Sequence, residues 1–141
     1  MPATPFSKLA SLCRELEATT KRKEKTRLLS EFLRGLEPDE VAPAVLLVVG
    51  SVFPEFDPRT LEVGWRTMKG VLEGGRQTTL LSEPLTIRSV HRTLERIAEA
   101  SGSSSRRVKS GLLEGLISRA DPAEVEVLVR IVFGEMRIGV N

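Results

Sequence analysis

The sequence predicts an all-α fold, a single helical domain with an internal pseudo-twofold repeat of helical hairpins. Three observations carry this. Apolar residues recur at three- and four-residue spacing along most of the chain, Pro, Gly and hydroxyl residues separate the stripes, and the second half repeats the punctuation of the first. The composition agrees. Hydrophobic residues make up 40% of the 141, yet there are only five Phe, one Trp and no Tyr, so the core must come from Leu, Val, Ile and Ala. A chain of this length can bury one substantial core.

The first stripe is Phe6, Leu9, Leu12, Cys13 and Leu16. Thr19 or Thr20 could cap a second helix, whose stripe is Leu28, Leu29, Phe32, Leu33 and Leu36. Pro38 suits the first turn of a third helix, with Asp39 and Glu40 favourable at its positive end and Gly50 at its close. Phe53 to Pro58 reads as a loop, and a helix from about Thr60 to Leu72 follows, with Leu61, Trp65, Met68 and Leu72 on one face. Gly74-Gly75 breaks it, and the polar stretch to Pro84 is expected to be loop. Thr86 opens a helix carrying Ile87, Val90, Leu94 and Ile97. After Gly102 the serines start another with Val108, Leu112, Leu113, Leu116 and Ile117, and Pro122 begins a last helix towards Phe133 and Gly134.

Sliding the chain by the interval from Gly50 to Gly134 pairs Arg22 with Arg106, Lys25 with Lys109 and Leu28-Leu29 with Leu112-Leu113. It also pairs Pro38 with Pro122, Glu40 with Glu124, Val41 with Val125, Val45 with Val129 and Val48 with Val132. The expected halves are residues 5–53 and 86–139, joined by 54–85. The run Val41–Val49 has strand-like composition, and its match to the Pro-started segment at Pro122 argues for helix.

A net charge of +2 settles nothing about partners, so the positions of the charges matter more. Each half sets a polar turn before a basic helix start: Thr20, Lys21, Arg22, Lys23 and Lys25 in the first, Gly102, Ser103, Ser104, Ser105, Arg106, Arg107 and Lys109 in the second. Cations at the positive end of a helix are locally unfavourable, and an anion such as phosphate would relieve the conflict. A single basic helix end is usually just a solvated surface. Two equivalent ones favour phosphate.

No catalytic site is expected. His91 is the only histidine and reads as a helix-surface residue, lone Cys13 falls on an apolar stripe, and Gly64 to Gly70 lacks phosphate-loop spacing. No metal site is expected either. A signal peptide and a membrane-length apolar run are absent from the sequence, so a reducing, cytoplasmic setting is expected.

The stretches Gly102 to Lys109, Leu112 to Leu116 and Gly134 to Gly139 resemble the N-terminal DNA-binding domain of archaeal and eukaryotic ATP-dependent DNA ligases. So do Phe6, Leu9, Leu16, Thr19, Lys25, Leu28 and Phe32 with Leu36 to Glu40, and Leu61 to Gly64 with Lys69. The resemblance implies an all-α domain that grips nicked double-stranded DNA across the minor groove, largely through phosphates, with Arg137 added to the contacts. It implies no cofactor in this chain. ATP and Mg would belong to catalytic domains elsewhere in the parent, which carry the adenylylated lysine.

The sequence departs from the family in two places. Relatives usually have a longer segment after the Lys69 helix, whereas Gly74-Gly75 leads quickly to Pro84-Leu85-Thr86. Some archaeal members carry a sliding-clamp motif in this loop, Gln followed by two aromatics; here Gln77 is followed by Leu80 and Leu81, which offer less apolar area and no rings. The alternative to DNA binding is a helical-repeat scaffold that takes a protein partner.

Overall fold

The computed structural model describes residues 3–74 and 83–136, and among these it holds helices and one isolated bridge, Pro5 to Thr86. The chain builds α1 (Phe6–Glu17), α2 (Arg22–Arg34), α3 (Pro38–Val48), α4 (Trp65–Glu73), α5 (Ile87–Glu99), α6 (Ser105–Ser118) and α7 (Pro122–Phe133). The all-α expectation holds, and Val41–Val48 is helical.

The core forms around α1 and α5. Phe6, Leu9, Leu12, Cys13 and Leu16 of α1 are buried, as are Ile87, Val90, Leu94 and Ile97 of α5. Each such side chain contributes about 1.5–3 kcal/mol. α1 packs on α2, α3, α5 and α7, while α5 packs on α3 and α6 as well as α1. Exchanging α1–α3 for α5–α7 therefore keeps the two hairpin contacts, α1 with α2 and α5 with α6, and the crossed ones, α1 with α7 and α5 with α3. The exchange is not complete: α1 packs on α3 without an equally packed α5–α7 pair, and α4 covers α6 with no counterpart on α2. Accordingly α6 buries Lys109, Leu113, Leu116 and Ile117, whereas no residue of α2 is fully buried.

Helix starts divide by chemistry. Reciprocal capping boxes close α5 (Thr86 with Ser89) and α7 (Asp121 with Glu124), and at α3 the Glu40 carboxylate accepts from the Glu37 N–H while the Glu40 N–H donates to the Glu37 backbone carbonyl. The basic helices α2 and α6 begin without any side-chain cap. Lys21, not a threonine, occupies the α2 N-cap position; the Thr19 hydroxyl instead accepts from the Lys21 N–H at 3.2 Å.

Glu40 ties three segments together. Its carboxylate accepts from the Thr4 N–H (2.8 Å), the Thr4 hydroxyl (2.9 Å) and the Glu37 N–H (2.9 Å), and it is wholly buried. Thr4 in turn accepts from the Ile87 N–H at 3.0 Å, so the chain start is laced to both α3 and α5.

Two sequence expectations are corrected here. The helix expected from Thr60 starts only at Trp65, because the carbonyls of Leu61 and Glu62 accept from Lys109 and Glu62 has φ of 49°. His91 is not a free surface residue. Its side chain is 15% exposed and Nε2 lies 3.0 Å from the Val52 carbonyl.

Candidate nucleic-acid interface

The first turn of α6 is the most developed of the expected sites. Ser103, Ser104, Arg106, Arg107, Ser110, Gly111 and one acidic residue, Glu114, line an open groove of about 760 Å³. Arg106 and Arg107 are exposed and form no ion pair with any described residue. Ser104 stands at the N-cap without spending its side chain, and no acidic residue lies in the first turn. Hydroxyls, uncommitted backbone N–H groups and two guanidinium groups thus converge on one groove, a set of donors with affinity for an anion. Gly102 precedes it with φ of 92°, which turns the chain sharply from the end of α5.

Lys109 does not join this groove. Its side chain runs inward, only 7% of the residue is exposed, and Nζ donates to the carbonyls of Leu61 at 2.8 Å and Glu62 at 3.3 Å. It fastens the loop before α4 to α6. Sequence periodicity placed Lys109 beside the apolar residues of α6, and that register was the available signal.

The start of α2 is looser. Lys21, Arg22 and Lys23 are exposed and in no ion pair with a described residue, Thr20 is exposed, and Lys25 is half-buried. Glu24 is the one acidic residue of this turn. The Arg27 guanidinium, hydrogen-bonded to it, holds its carboxyl below the usual range, and Arg27 also binds Glu31. That pairing engages Glu24, on which the Lys21 charge also acts, and none of the three cations ahead of it forms an ion pair with a described residue. Arg137, Gln77, Leu80 and Leu81 lie outside the described residues.

Other titratable groups serve the fold. Burial pushes the Cys13 thiol up to about 12, with the Glu17 charge adding to the shift, so the thiol stays protonated and inert. Burial alone would raise Glu40, but the hydrogen bonds from Thr4 and Glu37 and the charge of Arg88 outweigh it, and its pKa falls. At the matching position of α7, Glu124 moves the other way: burial raises it and the Asp121 charge adds to that. No grouping of His, Cys, Asp and Glu among the described residues could hold a metal, and none of their helices is long and apolar enough to cross a membrane.

Comparison with known proteins fits this arrangement. The profile of a family described as the DNA ligase N terminus matches residues 5–73 and 66–141. The chain is 36% identical to DNA ligase 1 of Korarchaeum cryptofilum, across 96% of this chain and 29% of that protein. It is 34% identical to the DNA ligase of Thermococcus fumicolans over 96% of this chain and 29% of the relative. For DNA ligase 1 of Methanosarcina acetivorans the figures are 34%, 95% and 27%. The chain belongs to the DNA ligase N-terminal family. It spans less than a third of the length of these relatives.

The alignment with the Korarchaeum protein runs over 159 positions, more than this chain contains, so the relative carries residues with no counterpart here. The two stretches matched by the family profile meet at residues 66–73, within α4.

Proposed function

We propose that this chain is the DNA-holding part of an ATP-dependent DNA ligase, binding nicked duplex DNA through its phosphates and without reading sequence. The groove at the start of α6 carries the proposal, because its Ser103, Ser104, Arg106 and Arg107 present anion-binding groups, and the two arginines form no ion pair with a described residue. Lys21, Arg22 and Lys23 at the start of α2 supply a second contact to the backbone. Phosphate contacts fix position and carry no sequence information, which suits an enzyme that must act at any nick.

Adenylylation by ATP with Mg, and joining of the ends, fall to other parts of the parent protein. Membership of the ligase family supports DNA as the partner. A sliding-clamp contact through Gln77, Leu80 and Leu81 is a further element of the proposal, as are the duplication of the two halves and an intracellular setting with the DNA.

Charge reversal tests the site. Arg106→Glu with Arg107→Glu should weaken binding to duplexes of any sequence alike while leaving the urea midpoint within experimental error. Undiminished binding by this double variant would remove α6 from the interface.

A further inference from the structure

Most of the scarce aromatic residues gather at one end of the molecule, away from the basic groove's lining. Phe53 and Phe56 lie in the loop after α3, Trp65 begins α4 and Phe133 ends α7. The Trp65 and Phe133 rings are 5.7 Å apart, and Phe53 and Phe133 line the same open cleft of about 500 Å³. Phe56 is 88% exposed and Trp65 57%, so neither is used to build the core. Large aromatics left in water beside a cleft mark contact surfaces.

The charge around this cleft is the reverse of that at α6. Glu55, Asp57 and Glu62 line it, and Arg59 is the one cation in the lining. Arg59 is already engaged: Asp57 accepts from its Nη2 at 2.7 Å and from its Nε at 3.0 Å, and its guanidinium lies 4.2 Å over the Phe53 ring. Glu95 and Glu99 of α5 also act on Arg59. Glu55 and Glu62 form no ion pair with a described residue. The cleft therefore repels a nucleic-acid backbone and attracts a cation.

The loop is also braced. Lys109 holds the Leu61 and Glu62 carbonyls, and His91 holds that of Val52. A braced loop loses little entropy on binding.

We propose that this cleft docks a protein segment carrying a Lys or Arg beside an apolar side chain. The cation meets Glu55 and Glu62, and the apolar group covers Phe53 and Phe133, extending to Trp65 beside Phe133 and to Phe56, which adjoins the lining residues Glu55 and Asp57 in the chain. The inference stands independently of DNA binding, since none of these residues belongs to the groove at α6.

Trp65 is the only tryptophan and there is no tyrosine, so intrinsic fluorescence reports on this cleft through the contact of Trp65 with the lining residue Phe133. The probe is a short synthetic peptide of alternating Lys and Leu, compared with versions in which Glu replaces Lys or Ser replaces Leu. The Lys/Leu peptide should shift Trp65 emission to shorter wavelength and saturate, and the other two should not. Phe56→Ala, and separately Glu55→Lys with Glu62→Lys, should each weaken it about tenfold, the effect of removing one substantial interface contact. Phe56 is too exposed for its loss to unfold the chain, which circular dichroism checks, and duplex DNA binding by Phe56→Ala should be unchanged. Equal binding of the Glu peptide, no saturation by the Lys/Leu peptide, or indifference to both variants would overturn the proposal. So would a single-stranded oligonucleotide that quenches Trp65 and competes with the peptide, which would assign the cleft to nucleic acid.

Discussion

Lys109→Met isolates what the buried ammonium does. Met keeps most of the aliphatic stem and removes the charge and both hydrogen bonds, to Leu61 at 2.8 Å and Glu62 at 3.3 Å. Hydrogen bonds from a charged donor are each worth about 1.5–3 kcal/mol. The second is long, and Glu62 is exposed enough for water to replace the lost donor, so it adds little. Released ammonium desolvation offsets part of the loss. The net expectation is a destabilisation of about 1.5–2.5 kcal/mol, centred on the loop that leads into α4. Lys109→Ala should cost about 1 kcal/mol more, from the lost stem packing. Urea denaturation followed by Trp65 fluorescence and by circular dichroism measures this. If Lys109 acts only through the loop, Lys109→Met binds duplex DNA with an unchanged salt slope wherever it remains folded. A variant as stable as the parent, with a salt slope reduced by about one, would return Lys109 to the phosphate contacts and refute the argument.

Glu40 and Glu124 hold matching capping positions with opposite consequences. The pKa of Glu40 lies below the ordinary 4.5 in the folded chain, so its contribution is fully present above that value and lost as pH falls through the depressed one. Glu40→Gln should cost about 1–3 kcal/mol at neutral pH and flatten the acid limb of a pH–stability profile. The pKa of Glu124 is raised, so its contribution is present below 4.5 and lost as pH rises through the folded value; Glu124→Gln should be the milder change at neutral pH and the more harmful of its own two values at acid pH. Native Cys13 should resist a thiol reagent at mildly alkaline pH and react only as fast as the chain unfolds, and rapid labelling of the native protein would contradict its burial. Gly50→Ala should lower the thermal midpoint by several degrees, because Gly50 has φ of 83° and an added Cβ would lie 2.8 Å from Met136 Cβ.

Periodicity and punctuation are local signals, and they made most of the fold legible. The stripe Phe6-Leu9-Leu12-Cys13-Leu16 became the buried face of α1, and Pro38 and Pro122 mark the starts of α3 and α7. The helix expected from Thr60 began late for a reason no window around it contains. Lys109, distant in sequence, takes the carbonyls that the first turn would have used. The same long-range contact removed Lys109 from the candidate phosphate site, where sequence placed it beside Arg106 and Arg107. Hydroxyls and arginines at a helix start were readable because the chemistry lies in neighbouring residues. The acidic aromatic cleft was not, since it joins a loop near Glu55 to the end of α7. Its only trace in sequence is the clustering of Phe53, Phe56 and Trp65. The difference between Glu40 and Glu124 was equally hidden, because two of the donors that lower Glu40 come from Thr4, 36 residues away and just ahead of α1.

Fluorescence anisotropy of the intact 141-residue chain against nicked and unbroken duplex, at several salt concentrations, tests the DNA-holding function most directly. With Lys21, Arg22, Lys23, Arg106 and Arg107 each neutralising one phosphate, log affinity should fall against log salt with a slope of roughly −4 to −5, and the nicked duplex should bind more tightly. A slope near zero, or no binding even at low salt, would contradict it.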